Sequence, residues 1–442
     1  MTSVSSYKVK IASVNQSLNA TIEIYREAVS YIINVVKNNW NDIKTLNSLY
    51  QQSHVEKLIH TTKNNIASYD FDTHFYKFPS YLRRSAIQDA VGIVSSYQSN
   101  LENYENERYQ AISNGKRFQK KPPQLSLKHF KCPVLYKGNM FNMLDENHAQ
   151  IKIYSNHDWV WITVALRQQD INYIKRNCSF DKEFSPILIK KGRSFYLQFA
   201  YERDVTLNKT KLIDQKVLAV DLGVNHSAVC SIIDYKGTVL GRKFINQPRE
   251  KDLQIHLLNR LKEKQKQGSY NNKSIWAKCN SLNEHIVNHT VHEIITYAIE
   301  HEADVIVFEH LNFKGKRKRT SKSSLLLMWA YKSIQNKLIH NAHKNGIRYA
   351  LVNAKDTSAL AFDGSGKVQR DDNNKSLCTF QTGKQYNCDL NASYNIGARY
   401  FIKEIIKTLP EKVRSLAEAK VPQLMRRTCC TLSTLISLVA VV

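Results

Sequence analysis

Three acidic residues stand where a charge is least expected. Asp221 lies inside the apolar run KVLAVDLGV, Glu309 closes the apolar run VIVF, and Asp389 lies just before a helical stretch in CDLNASYNIG. A carboxylate inside an apolar strand is costly unless it is paired or binds a metal. The three are separated by 88 and 80 residues, so only tertiary folding can bring them together. Once together, such hard oxygen ligands can hold two Mg²⁺ ions ~4 Å apart, one activating water and the other stabilising a leaving oxygen, as phosphodiester hydrolysis requires. Each acid also has a plainer reading. Asp221 alone is a buried structural Asp, Glu309 alone an exposed strand-end carboxylate, and Asp389 alone an N-cap, because Leu390 and Asn391 open a helix. Their joint placement on the right elements in the right order favours the metal site.

The elements that must position these acids begin near Lys216. KVLAVDLGV reads as an almost continuous apolar strand, HSAVCSIID as a second and VLGRKFIN as a third, together an antiparallel meander. Helical, strongly basic sequence runs from Glu250 to about His301, and ADVIVFEHL is then a buried strand. Ser323 to Lys344 reads as helix, IRYALVN as strand, Ser365 to Asn387 as polar and irregular, and a last helix begins at about Leu390. A meander followed by helix, strand, helix, strand and helix is the order of an RNase H-like α/β fold. In that topology the first and fourth strands are neighbours and the last helix crosses them, which puts the three acids at one rim.

Upstream, SYKVKIA alternates like a strand. Asn15 to Trp40 then switches to helical spacing, with Leu18, Ile22, Tyr25, Val29, Ile32 and Val36 on one face. A second helical run follows Pro79, where Ala86, Ile93, Tyr97, Leu101 and Tyr104 suit burial and Arg84 and Gln88 share another face. From Leu125 to about Asp204 short strands return (VLYKG, QIKIY, WVWITVAL, SFYLQFAYE), which predicts a small β-barrel or sandwich with the N-terminal strand as partner and the helices inserted.

Composition narrows the function. In 442 residues, 64 Lys plus Arg against 38 Asp plus Glu leave a net charge of +26, while 42% hydrophobic residues are enough for real cores. That excludes a disordered polycation and points to a folded protein with an anionic partner, most commonly nucleic acid. Cys132, Cys178, Cys230, Cys279, Cys378, Cys388, Cys429 and Cys430 form no even framework, and Met1 to Lys10 lacks an apolar leader core. Both features predict reduced thiols in the cytoplasm. The apolar stretch from Cys429 to Val442 is shorter than the ~20 residues of a membrane span, so a packing segment or a frayed tail is expected and no membrane association. No Gly-rich phosphate loop or nucleophile elbow supports nucleotide hydrolysis or Ser-based acyl transfer.

VDLGVNHSAV, VIVFEHLNFKGK and CDLNASYNIGARYF resemble the three RuvC motifs of TnpB, the transposon-encoded RNA-guided nucleases, and of miniature type V CRISPR effectors. PSYLRRSAIQDAVGIVSSY resembles that family's helical recognition segment, and IWAKCNSLNEHIVNHTVHEIITYAIE the bridging helices between the first two motifs. The resemblance implies a multidomain α+β protein: a wedge β-barrel over 1–12 and 122–212, a helical recognition lobe over 13–121, an RNase H-like (RuvC) nuclease domain over 213–352 and 389–442, and an inserted nucleic-acid-binding ribbon over 353–388. It implies Asp221, Glu309 and Asp389 as catalytic ligands of two Mg²⁺ ions, with Mn²⁺ as substitute. The family's zinc ribbon carries two Cys-x-x-Cys pairs, but here Ala361 and Gly364 occupy the first pair's places and Cys378 alone remains of the second, with Cys388 not placed as its partner. Structural zinc takes four ligands, so no zinc is expected, and Gly364, Gly366 and Gly383 are predicted to shape a metal-free remnant in a diverged branch.

The basic run Lys314, Lys316, Arg317, Lys318 and Arg319 follows the Glu309 strand and is the better candidate for gripping DNA, whereas RLKEKQKQ reads equally well as a solvated face. The resemblance also puts Arg83, Arg84 and Gln88 near a short flanking duplex motif, with helix solvation the plainer reading of each, and lets Arg370 support the scissile strand. The expected function is that of an RNA-guided DNA endonuclease with a guide RNA and double-stranded target DNA as partners, a homodimer on one guide being compatible, in the cytoplasm of a prokaryotic cell and on the nucleoid when bound to DNA. Two rivals stand beside it: a nuclease-inactive RNA-guided repressor and a guide-independent, structure-specific RuvC-type nuclease.

Overall fold

Leu18, Ile22, Tyr25, Val29, Ile32 and Val36, the apolar face of the first predicted helix, are all buried. The computed structural model describes every residue except 13–15, 127–130, 224–225, 270, 311–321, 372–373 and 375, and of 322–329 the backbone alone. The chain divides into two units, Thr2–Arg203 and Asp204–Val442, with Met1 grouped with the second.

The first unit opens with β1 (Thr2–Lys10) and continues through α1 (Gln16–Asn38), α2 (Trp40–Ile43), α3 (Ser48–Ile59), α4 (Phe71–His74) and α5 (Ser80–Ser113). Then come β2 (Phe141–Met143), β3 (His148–Ser155), β4 (Asp158–Ala165), α6 (Gln168–Cys178), β5 (Lys182–Glu183), β6 (Ile187–Lys191) and β7 (Ser194–Asp204). The apolar face of α1 is held between α5 and β3, so helices and strands share one core. α5 outruns that core. Ala86 is buried, but Ile93, Tyr97, Leu101 and Tyr104 are only half-buried, and Val94 is the helix's last buried residue.

The strands form two sheets, one in the order β1–β7–β5 with β6 also on β7, the other β2–β3–β4. They meet at a corner where Ile11, just past β1, bridges Leu166, just past β4. VLYKG, expected as a strand, makes only isolated bridges through Val134 and Lys137. Helix α6 falls in a region read as strands alone; it buries Ile171, Ile174 and Cys178 at helical spacing.

In the second unit β8 (Val217–Asp221), β9 (Ala228–Ile233) and β10 (Val239–Ile245) are the predicted meander, followed by α7 (Pro248–Lys266), α8 (Lys273–Glu300), β11 (Val305–His310), α9 (Lys322–Lys344) and β12 (Arg348–Asn353). The segment read as irregular instead holds a small antiparallel sheet of β13 (Gln369–Arg370), β14 (Leu377–Thr379) and β15 (Gln385–Asn387). Strands of two or three residues are too short to show alternation. Gly364, Gly366 and Gly383 turn its loops in the left-handed region, with φ of 82°, 120° and 82°. Helices α10 (Cys388–Thr408), α11 (Glu411–Lys420) and α12 (Leu432–Val441) complete the chain.

The main sheet has the order β10–β9–β8–β11–β12, with β8, β11 and β12 parallel and the meander antiparallel. α8 and α9 cover one face, and α10 and α12 the other. Gly397 lets α10 settle onto the sheet, because a Cβ there would come within 2.7 Å of Ile233 Cδ1 and 3.2 Å of Ala219 Cβ. The apolar C-terminal stretch is a packing helix: α12 buries Leu432, Leu435 and Leu438, and Thr431 and Thr434 cap its start reciprocally. No helix among the described residues is long and apolar enough to cross a membrane.

Candidate active site

Asp221 is the last residue of β8, and Glu309 lies at the same level of β11. Val220 pairs in parallel register with Phe308, so the two acids follow as the next residues on neighbouring strands, whose backbones run ~4.8 Å apart. Asp389 sits in the first turn of α10, the helix that crosses β8 and β9. It is not the N-cap. That task falls to Asn387, whose side chain accepts from the Leu390 amide at 2.9 Å, leaving the Asp389 carboxylate free for other work. Gly223, two residues beyond Asp221, faces it, and a Cβ there would lie 3.7 Å from Asp389 Oδ2 and 2.9 Å from the His226 carbonyl. The missing side chain keeps open a cradle between the end of β8 and the start of α10. His226 Nδ1 stands 3.5 Å from Asp389 Oδ2.

The electrostatics bind the three acids together. The Asp221 carboxyl is pushed well above the usual carboxylate range, first by burial, then by the charges of Glu309 and Asp389, with the Arg370 guanidinium pulling the other way. Burial also raises Glu309, against the Thr357 hydroxyl it accepts from and the charge of Arg399. Tyr331 on α9 senses the same charge: burial, Asp221 and Asp389 push its phenol up to about 12. Among the described residues, no three His, Cys, Asp or Glu side chains close tightly enough to hold a metal ion as they stand. The donor set nevertheless fits a hard dication, because carboxylates that repel one another beside an open cradle are what Mg²⁺ or Mn²⁺ would relieve.

That repulsion has a measurable sign. A carboxyl whose folded pKa is raised contributes stability below its unfolded value of about 3.9, and loses it as pH rises through the folded value. The metal-free protein therefore carries a penalty that is absent at low pH and grows as pH rises above about 3.9. Asp221→Asn is expected to raise its melting temperature, by about 2–4 °C for each kcal/mol of the burial and repulsion cost removed. The gain should shrink as pH falls towards 4. Thermal scans of both proteins with chelator check it, and an Asp221→Asn protein no more stable than wild type at pH 7.5 would refute it.

Behind Glu309 and Asp389 lies a buried polar layer. Thr357 places its hydroxyl on Glu309 Oε1, and Gln335 Nε2 donates to the Glu309 carbonyl at 3.0 Å. On α10, Asn391 Nδ2 donates to Leu360 O at 2.8 Å, and its Oδ1 accepts from the Phe362 amide at 2.8 Å. Asn395 Nδ2 donates to the carbonyls of Thr357 and Leu360, both at 2.9 Å, and Asn395 Oδ1 accepts from Leu432 N at 3.2 Å. Arg399, 5% exposed, donates to the carbonyls of Asn353, Lys355, Thr428 and Cys430.

Other residues singled out in the sequence fall in varied places. Arg83 is buried against Glu56 at 3.2 Å, with Asp72 at 4.0 Å. Arg84 and Gln88 lie exposed on the same helix, Arg84 3.5 Å from Glu56 and over the Tyr81 ring, Gln88 donating to Gln52 at 2.9 Å. Arg370, on β13, donates to Ser358 at 2.9 Å and bears on Asp221 by charge. Lys314, Lys316, Arg317, Lys318 and Arg319 lie outside the described residues. Cys378 and Cys388 are not separate as expected: their thiols touch in a buried cluster with Ala361 and Phe380, and burial first, then each other, push Cys378 up to about 12. β15 delivers Cys388 to the start of α10 directly across from β14, a pairing that chain spacing conceals.

Gly223, His226, Tyr331 and Thr357 escaped the sequence reading. Nothing in DTSAL distinguishes Thr357. The polar layer did leave a signal: Asn391, Asn395 and Arg399 repeat every four residues, one polar stripe along the largely buried first half of α10.

A family model described as RuvC nuclease domain matches residues 202–423, and another, described as the Aq_aa04 family, matches residues 5–155. Among solved structures, the chain is similar to a Cas12f1–sgRNA–target DNA complex at 15% identity, covering 89% of this chain and 98% of that one with a TM-score of 0.34. It is similar to CasPhi-2 (Cas12j) bound to crRNA at 10% identity, over 88% and 97% of the chains, with a TM-score of 0.47. It is also similar to Alicyclobacillus acidoterrestris C2c1 with single-guide RNA at 10% identity, over 86% and 68%, with a TM-score of 0.42. Likenesses this distant carry no argument of their own.

Proposed function

The chain belongs to the RuvC nuclease domain family, and we propose that it is an RNA-guided DNA endonuclease. In this reading a guide RNA selects double-stranded target DNA by base pairing, and Asp221, Glu309 and Asp389 serve its cleavage. The observation that carries the reading is the placement of these three carboxylates at one rim of the main sheet, Asp221 and Glu309 one residue past the paired Val220 and Phe308 and Asp389 in the first turn of the helix that crosses β8, in a chain of net charge +26. A positive protein with a small negative pocket suits a polyanionic substrate and a cation that meets it there.

Two Mg²⁺ ions held by Asp221, Glu309 and Asp389, or Mn²⁺ in their place, would supply Lewis-acid activation of water and of the leaving oxygen. The chain's own residues do the rest. Thr357 and Gln335 fix Glu309 from the side chain and the main chain. Gly223 leaves the cradle open, and Arg370 brings a guanidinium to the Asp221 side, where a scissile phosphate needs positive charge. The strands of 1–12 and 122–212 form the wedge barrel, a proposal that the corner bridge between Ile11 and Leu166 supports. In the 13–121 lobe, exposed Arg84 and Gln88 meet the flanking duplex motif, and Arg83, paired with Glu56, fixes the helix that carries them. The ribbon of 353–388 works without zinc. Two copies on one guide and a cytoplasmic site of action complete the proposal.

The test is to sequence the RNA that copurifies with the protein, rebuild the complex on a guide of chosen sequence, and assay cutting of matching and non-matching duplexes with Mg²⁺. A discrete RNA and guide-directed cutting are expected. Activity on branched DNA without any RNA would replace this reading with a structure-specific nuclease, and guide-directed binding without cutting would replace it with a repressor.

A further inference from the structure

The segment after β12 touches both of the acid-bearing elements that flank it. Thr357, only 2% exposed, sets its hydroxyl on Glu309 Oε1 and 3.1 Å from the Ala354 carbonyl. One hydroxyl has one proton to give, and a carboxylate is the stronger acceptor, so the proton goes to Glu309. The Thr357 main chain is in turn held by α10: Asn395 Nδ2 donates to its carbonyl at 2.9 Å. Arg399 Nη1 holds the chain just before it at two carbonyls, those of Asn353 (2.8 Å) and Lys355 (2.7 Å). Asn395 and Arg399 stand on the helix whose first turn bears Asp389.

We propose that Thr357 is a positioning residue for Glu309, and that α10 sets it through Asn395 and Arg399. One helix then fixes two of the three carboxylates, Asp389 directly and Glu309 through a hydroxyl relay. A Glu side chain has three rotatable bonds and sits at a strand end, where nothing in the strand itself selects its rotamer. The relay supplies that selection, and it leaves Glu309 Oε2 available while Oε1 is engaged. A buried Thr serving only as filling would instead satisfy itself on Ala354 O, and its loss would not reach the carboxylate.

The inference rests on the nuclease reading for its effect on cutting, but not for its effect on metal binding. The full chain is therefore titrated with Mn²⁺ and the bound ion followed by electron paramagnetic resonance, for wild type, Thr357→Val and Thr357→Ser, with circular dichroism as the check on folding. Thr357→Val is expected to bind Mn²⁺ about tenfold more weakly, the effect of losing about 1.4 kcal/mol, and Thr357→Ser to stay within about twofold of wild type. Equal Mn²⁺ binding by folded Thr357→Val and wild type would overturn the proposal. Should Thr357→Val not fold, Thr357→Ser decides: wild-type affinity supports the hydroxyl, whereas a tenfold loss assigns the effect to the methyl group and overturns it. Cleavage measured on the same proteins separates the two readings. Mn²⁺ binding that depends on Thr357 in a protein that cuts no DNA leaves the positioning role and removes the nuclease, and cutting with Thr357→Val affinity unchanged does the reverse.

Discussion

Asp221→Ala is expected to lower guide-directed DNA cleavage by at least about a thousandfold, or ~4 kcal/mol of barrier, while leaving RNA retention unchanged. The reason lies in where Asp221 stands. It is the acid whose carboxyl feels both of the others, so its removal breaks the cluster at the centre rather than at an edge. Glu309 and Asp389 then remain on two separate elements, with no common neighbour of the same charge to complete a site for two ions. Removing Asp221 should also ease folding, since a buried like-charge repulsion disappears with it; catalysis and stability thus move in opposite directions. Single-turnover cleavage with saturating Mg²⁺ measures the first effect and a melting curve with chelator the second. Unchanged cutting by Asp221→Ala would end the assignment of the metal site.

Arg399→Met is expected to destabilise the 204–442 unit by about 3–5 kcal/mol, because it strips a buried, charge-assisted donor from several carbonyls at once. Those carbonyls belong to two stretches, Asn353 and Lys355 on one side and Thr428 and Cys430 on the other, which the guanidinium fastens to α10. Burial works against its charge, with Cys430, Glu309, Asp356 and Cys429 acting the other way, and four carbonyls accept its protons. Methionine fills a similar volume but donates nothing. Lysine should rescue little, since an ammonium cannot reproduce the planar fork that reaches both stretches. Urea unfolding followed by a probe in this unit checks the number, and a loss under about 1 kcal/mol would show that water replaces the guanidinium.

Much of the second unit was legible because its signals are long. β8 and β11 are apolar through four consecutive residues, as strands covered on both faces must be, and an acid ending such a run stands out. α1 was legible for the same reason, with six buried residues in strict helical spacing. Legibility failed where a contact, and not a period, decides the outcome. Arg83 and Arg84 are neighbours of one type, yet about 100° of helix rotation sends one into a buried ion pair with Glu56 and leaves the other exposed beside the same carboxylate. Tyr97, Leu101 and Tyr104 keep the helical rhythm beyond the last core residue of α5, where they stay half-buried and Tyr104 meets the Phe118 ring instead of the core. Of the candidate site, the three acids could be read and their setting could not. Thr357 and Gly223 acquire meaning only when β12, α10 and the end of β8 are side by side, and the Cys378–Cys388 contact only when β15 turns into α10.

The central parallel pair also has a meaning in time. Because β8 and β11 are joined only through residues far apart in the chain, and α10 comes later still, a ribosome that has made Glu309 must add 80 more residues before Asp389 exists. At roughly 5–20 residues per second that is a wait of several seconds. Throughout it the growing chain presents two acids and no third, with the helix that aligns them unmade. A nascent or truncated copy therefore lacks the third acid, and under the proposed function the capacity to cut would arrive only with the last helices.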